Sequence, residues 1–261
     1  MKIATWNVNS IRSRLEHVKE WITSNQIDII CLQETKVVDK DFPVAPFQEV
    51  GYNTYISGQK SYNGVAIFSL EPLEDIKIGF GSVLPEEKVG IYDDQKRVIS
   101  GVIGDVRIVN LYVPNGSSIG SEKFEYKLEW FKLLQEYLTI LKNEYPQEIL
   151  VCGDFNIALD EKDIYTKKKE NHIMASPTEK EALNNILELG FADVFRKFTT
   201  EGGHFSWWDY RHGGFPKNRG WRIDHIYLTD KLYEQASKCY IDIEPRKLVK
   251  PSDHTPVVCE L

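Results

Sequence analysis

With 261 residues, 42% hydrophobic and 27% charged, the chain is long enough to bury the core of one large α/β domain and has the make-up of a soluble globular protein. No apolar run reaches the roughly 18–20 residues of a membrane span, and residues 1–7 lack the apolar stretch and cleavage site of a secretory signal, so the expectation is a cytoplasmic protein with no membrane partner. A net charge of −7 argues against a protein that coats nucleic acid indiscriminately, yet leaves room for a local basic face.

Runs rich in Ile, Val, Tyr and Phe, punctuated by Gly, Asp, Asn or Pro, predict strands at residues 2–7, 27–33, 64–69, 98–103, 107–113, 148–152, 222–228 and 255–261. Between the first two, Ser10 reads as the N-cap of a helix on which Ile11, Leu15, Val18 and Ile22 recur at helical spacing. Ser121 precedes a longer helix with the apolar stripe Phe124, Leu128, Phe131, Leu134, Leu138 and Leu141. Thr178 and Glu181 read as a capping box opening a third helix, which carries Leu183, Ile186 and Leu187 and ends at Gly190. The polar stretch 161–180 reads as a loop insertion, and the lysines at 167–169 as either a phosphate contact or a solvated loop. Cys31, Cys152 and Cys259 fall in strand-like runs and Cys239 follows a helix-like one; with no CxxC pair, buried reduced thiols are expected rather than a zinc site. Neither a repeat nor a flexible linker interrupts the pattern, so one α/β domain over residues 1–261 is expected.

Polar residues at the exits of these strands carry the chemistry. The first strand runs into Asn7, the second into Glu34 and a later one into Asp154 and Asn156, while Asp253 and His254 stand just before the last. Singly, each is more often a turn residue or helix cap. Together they supply hard oxygen donors and one proton-transfer group, a set that suits Mg²⁺ and the hydrolysis of a phosphodiester. Such a reaction also needs neutral donors around the phosphate and a base working near neutrality, which Asn, Tyr and a carboxylate-paired His provide.

A second cluster occupies residues 205–222. Phe205, Trp207, Trp208, Tyr210, Phe215 and Trp221 alternate with Arg211, Lys217, Arg219 and Arg222, against the single acid Asp209, and its glycines make the stretch a loop. Basic groups among aromatics suit a nucleic-acid backbone beside an unstacked sugar or base. Core packing is the alternative reading for some of these aromatics, Phe205 and Trp208 among them.

Six segments, WNVNS at 6–10, LQETK at 32–36, LYVPNG at 111–116, GDFN at 153–156, RIDHI at 222–226 and SDH at 252–254, resemble in order the motifs of the exonuclease III family of AP endonucleases. The resemblance implies an α/β, single-domain, DNase I-like four-layer sandwich, with two mainly antiparallel β-sheets flanked by helices. It implies a monomeric enzyme acting on double-stranded DNA that carries abasic sites, nicks or 3′ blocks. Mg²⁺ is the implied cofactor, with Mn²⁺ able to substitute.

Residue by residue, the resemblance implies that Glu34 binds the metal directly and that Asn7, Asp154, Asn156, Asp253 and His254 contact it directly or through water. Asp154 would hold or deprotonate the attacking water, and Asn156 would steady it or donate to the phosphate. His254, oriented by Asp224, would stabilise phosphoryl charge or act as base, and Tyr112 would touch the phosphate or assist the leaving group. Trp207, Trp221 and Ile223 match a pocket for a flipped abasic deoxyribose, with Arg211, Arg219 and Arg222 along the DNA. Two departures bear on substrate choice: Ser118 stands where some members insert an Arg into DNA, and Met174 where many have a small residue beside it. Three alternatives remain at this stage: a 3′-end exonuclease or phosphatase with weak abasic activity, a non-DNA phosphodiesterase, and a catalytically dead DNA-binding module.

Overall fold

Twelve strands appear in the computed structural model, which describes residues 1–166 and 172–261; the lysine run at 167–169 lies outside the described residues. They are β1 Lys2–Asn7, β2 Ile29–Gln33, β3 Asn53–Ser57, β4 Val65–Ser69, β5 Glu74–Ile78, β6 Val98–Ile103, β7 Val106–Tyr112, β8 Glu148–Asp154, β9 Phe191–Asp193, β10 Asp224–Thr229, β11 Lys238–Ile241 and β12 Val257–Glu260. Two six-stranded sheets result, ordered β11-β12-β1-β2-β4-β3 and β5-β6-β7-β8-β10-β9. Pairing is antiparallel throughout except for β1 with β2 and β7 with β8.

Those two parallel pairs follow from the longer helices. A parallel neighbour cannot be reached by a tight turn, so each pair needs a crossover, and helices Leu15–Ser24 and Glu122–Glu144 supply them. Their apolar stripes then cover the outer faces of the sheets. Val18, Trp21 and Ile22 pack on Ala4 and Trp6 of β1, while Phe131, Leu134 and Leu138 pack on Val109 and Val151. Between the sheets, Ile3, Cys31 and Ile67 meet Ile108, Leu150, Cys152 and Ile226. The central strands are thus buried on both faces, which is why they read as continuous apolar runs. Four layers result, helix, sheet, sheet, helix. Among the described residues no helix is long and apolar enough to cross a membrane, and all four cysteines are buried and free.

All eight predicted strands are present, two of them with the predicted bounds and the rest with ends shifted by at most two residues. The four that were not predicted, β3, β5, β9 and β11, are the four sheet edges. Edge strands have one unpaired side and are partly exposed here, so they lack the unbroken apolar run that marks the others. Two helix starts also differ from expectation. Ser10 sits at φ 90° just ahead of a turn at residues 11–13, and the first helix begins at Leu15 without a side-chain cap. The third helix, Pro177–Leu187, opens on a capping box of Ser176 and Glu179 with Pro at its first position, two residues earlier than the Thr178–Glu181 pair.

The sheets are joined by more than apolar contact. Asn110 of β7 donates through Nδ2 to Leu32 O (3.0 Å) and Ala66 O (2.9 Å) of the opposite sheet, and its Oδ1 accepts from Gln33 Nε2 at 2.7 Å. Gln33 Nε2 also reaches Thr5 Oγ1 at 2.9 Å. Both carboxamides are fully buried, so sliding one sheet over the other would strand polar groups without water. Replacing Asn110 with the similarly sized Leu should therefore lower the unfolding free energy by about 2–4 kcal/mol. The measurement is urea denaturation followed by circular dichroism; a midpoint equal to wild type would mean that the sheets are held by apolar packing alone.

Candidate active site

Parallel pairing puts the C-terminal ends of β1 and β2, and likewise of β7 and β8, on one side of the sandwich. Antiparallel β10 starts there, with Asp224 opposite Asp154, and the segment preceding β12 arrives there too. Asn7, Glu34, Tyr112, Asp154, Asp224 and His254 are consequently brought to one end by strand direction. Local bonds then seat the last of them: Ser252 Oγ donates to Asn7 O (2.7 Å) and accepts from His254 N (3.2 Å), and Trp6 Nε1 donates to His254 O. Gly153 is required just before Asp154, because a Cβ there would meet Leu111 O at 1.9 Å.

Glu34, Asp154 and His254 offer ligand atoms within 4.8 Å of one another. Asn7 bridges the carboxylates, its Nδ2 donating to Glu34 Oε1 and Asp154 Oδ2 at 2.9 Å each. His254 Nδ1 lies 2.8 Å from Asp224 Oδ2, and its Nε2 lies 3.7 Å from Asp154 Oδ2. Lys36 Nζ reaches Glu34 Oε2 at 2.8 Å. Several non-glycine residues of this region, Asn9, Glu34, Lys36, Asn156 and Met174, have left-handed backbone with φ of 44–70°. Such conformations cost roughly 1–3 kcal/mol each and persist where surrounding bonds over-determine them, typically at functional sites.

The electrostatics are strongly coupled. Burial raises the Asp154 carboxyl, His254 opposes that and Asp224 adds to it, with a net lift to about 7. Burial alone would lower His254, but Asp224 and Asp154 outweigh it and raise the imidazole to about 10. Burial also raises Glu34, yet Lys36 and Asn7 reverse the sign and leave it below the usual carboxylate value. Tyr112 is pushed well above an ordinary phenol by burial and by the Glu34 charge, so it stays protonated.

Beside these groups lies a cavity of about 670 Å³. Trp221, Ile223 and Met174 form one of its walls, packed with Ala158, Ile164 and Ala175, and Trp207 leans against them. Trp207 also pairs through its backbone with both Trp221 and His254, which ties the apolar wall to the imidazole. Arg211 and Arg219 line the same cavity and are exposed, Arg211 in a two-pronged contact with Asp209 (2.7 Å at Nη2).

Other expected residues are placed differently. Asp253 lines the cavity outside the three-residue ligand group; its Oδ1 accepts from Asn9 Nδ2 and its Oδ2 from Trp207 Nε1. Asn156 is engaged at both ends, Oδ1 by Asn115 Nδ2 and Nδ2 by Val113 O. Arg222 is a correction. It is 1% exposed, with Nε 2.7 Å from Asp163 Oδ1 and Nη2 2.7 Å from Asp193 Oδ2, so it is a buried ion-pair residue and not a DNA contact. Extended backbone turns successive side chains to opposite sides, and with Ile223 facing the cavity Arg222 must face inward. Phe205 and Trp208 are core, and Ser118 is an exposed turn residue.

Four contributors escaped the sequence reading as site residues: Asn9, Lys36, Asn115 and Lys127. The first three lie inside the WNVNS, LQETK and LYVPNG segments. Lys127 shows itself as a lysine on the apolar face of its helix, between Phe124 and Phe131.

Residues 4–254 match the model of the Endonuclease/Exonuclease/phosphatase family. Exodeoxyribonuclease III of Haemophilus influenzae is 34% identical, over 100% of this chain and 99% of its own. Among solved structures, an AP endonuclease from Archaeoglobus fulgidus superposes with a TM-score of 0.92 at 41% identity, covering 100% of this chain and 99% of that one. A 3′ phosphatase from Neisseria bound to a product DNA hairpin gives 0.93 at 38%, with the same coverage.

Arg222→Ala should lower the unfolding free energy by about 3–5 kcal/mol, because it leaves Asp163 and Asp193 short of a buried cation. Urea denaturation reads the loss. Salt-dependence of DNA binding should keep its slope, whereas a slope reduced by about one would restore Arg222 to the DNA interface.

Proposed function

The chain belongs to the endonuclease/exonuclease/phosphatase family, and from that premise we propose that it is a Mg²⁺-dependent DNA-repair phosphodiesterase. It hydrolyses the backbone 5′ to abasic sites and removes nucleotides or blocking groups from 3′ ends of duplex DNA. One observation carries the reading: Glu34, Asp154 and His254 converge in the same cavity that Trp207, Trp221 and Ile223 line. Charge chemistry for a phosphate thus adjoins an apolar slot suited to a sugar that has lost its base.

The donors fit a hard cation, since two carboxylates meet beside a carboxamide and all four cysteines are buried away in strands. Glu34 would hold Mg²⁺, with Mn²⁺ as substitute, and Asn7, Asp154, Asn156 and Asp253 would reach it through water, which leaves Asp154 free to take a proton. When bound, the cation offsets the negative charge that otherwise repels a nucleophile from the phosphodiester.

The remaining roles follow from protonation states. Asp154, lifted to about 7, is a base poised near neutrality and takes the proton of the attacking water. As the new P–O bond forms, the bond to the 3′ oxygen of the preceding nucleotide breaks. His254, held as imidazolium by Asp224, faces the phosphoryl oxygens as a charged donor and is assigned to the phosphate instead of the metal. Tyr112, kept protonated, donates to the phosphate or to the departing oxygen. A dead binding module would not need this set, and Arg211 and Arg219 at the cavity favour DNA over other phosphodiesters.

A second reading, stronger 3′-end processing with weak abasic cleavage, is favoured by one residue. Met174 fills part of the slot wall at φ 70°, and its side chain would crowd a kinked internal site more than a frayed 3′ end.

The deciding assay is nicking of a duplex with one tetrahydrofuran abasic analogue, beside 3′-phosphate and blunt-ended duplexes, with and without Mg²⁺. Asp154→Asn should reduce kcat by about 10³-fold or more with the fold intact; near-normal cleavage would remove Asp154 from the mechanism. At low Mg²⁺ the rate should rise with pH through about 7, as Asp154 loses its proton. Added Mg²⁺ favours the carboxylate and should move that limb to lower pH; a limb indifferent to Mg²⁺ would argue for another base. Met174→Gly keeps the positive φ without strain and opens the wall, so it should raise the ratio of abasic incision to 3′-end removal by about 3–10-fold. An unchanged ratio would end the crowding idea.

A further inference from the structure

Lys127 and Glu179 form an ion pair in which both side chains are wholly buried, at 2.5 Å. Neither belongs to the catalytic set, and a buried pair is a poor route to stability, since apolar residues of similar volume often do as well or better. What distinguishes this pair is what else it holds. Lys127 Nζ donates to Asn156 O (2.8 Å) and to Asn115 O (3.3 Å), two residues whose side chains bond each other at the edge of the cavity. Asn156 N in turn donates to Asp154 Oδ1, so the ammonium secures the turn that aims this carboxylate. On the other side, Glu179 Oε1 accepts from Met174 N (3.1 Å), and Oε2 accepts from Ser176 N (3.1 Å) and Ser176 Oγ (2.6 Å). Met174 is thereby held at a φ that a methionine rarely adopts.

Resting on the function proposed above, we infer that Lys127 and Glu179 are positioning residues that set the spacing between the Asp154–Asn156 turn and the Met174 wall, and so set which DNA substrates the cavity turns over. The pair touches both sides of the slot through side chains fixed at both ends, alongside the direct bond from Ala158 N to Met174 O at 2.7 Å. A helix presents the lysine and a capping box presents the glutamate, so each side inherits the rigidity of an element.

The test compares wild type with Lys127→Met, Lys127→Arg and Glu179→Gln, each assayed well below its melting temperature on abasic and 3′-phosphate duplexes. Unfolding lowers both activities by the same factor, whereas a displaced wall changes their ratio. Lys127→Met should lower kcat for abasic incision by about 10–100-fold with KM within about threefold, and shift the ratio of the two activities by about fivefold or more. Lys127→Arg, which can still donate to both carbonyls and the carboxylate, should recover most of the loss. Should Lys127→Met fail to fold, the isosteric Glu179→Gln decides, with an expected ratio change of about threefold or more. Equal losses on both substrates, or a folded variant with wild-type rates, would overturn the inference. A wild type that does not cut the abasic duplex would instead overturn the proposed function itself.

Discussion

Asn110 reaches across the sandwich to Gln33 and to two carbonyls of the opposite sheet, and the positions of the site residues descend from that crossing. Gln33 is followed directly by Glu34, and Asn110 precedes Tyr112 by two residues. An apolar interface alone is nearly indifferent to small slips, because dispersion and burial change gradually with displacement. A buried carboxamide pair is not, because any slip leaves a donor or acceptor without partner or water. The two sheets are therefore locked in register near the end where charge from one must meet charge from the other. Asn7, bridging Glu34 of one sheet and Asp154 of the other, extends the same device into the site.

Holding like charges together has further consequences. Asp154 and Asp224 approach each other opposite in register, and the imidazole of His254 lies against both. Lys36 performs the same service for Glu34. The arrangement resembles a set of anions each assigned a cation, which keeps the fold stable while leaving Asp154 balanced near neutrality. Left-handed backbone at Glu34 and Asn156 belongs to the same compromise, as these residues leave their strands in directions that regular geometry does not offer.

Much of this was legible in the sequence for definite reasons. Central strands are buried on both faces, so β1, β2, β4, β6, β7, β8, β10 and β12 announce themselves as apolar runs. Edge strands β3, β5, β9 and β11 do not, being partly exposed and paired on one side only. The DNase I-like sandwich came from ordered motifs and not from periodicity, which is compatible with several α/β arrangements. Met174, Trp207, Trp221 and Ile223 line one cavity, but Arg222 reads like its exposed neighbours Arg211 and Arg219 and is buried. A guanidinium's role depends on which carboxylates surround it, and Asp163 and Asp193 are remote from it in the chain.

By itself the sequence determined the residue types for the chemistry, the strands that carry them and the family to which they belong, because strand exits and short motifs are local features. Only the tertiary structure decided that Asn110 clasps Gln33, that Asp224 orients His254, and that Lys127 on an apolar helix face braces the turn beside Asp154. It also decided the protonation of the site, since a carboxyl lifted to about 7 and an imidazole raised to about 10 are products of burial and neighbours. Those quantities depend on distances between residues far apart in the chain, and such distances exist only once the two sheets have closed on each other.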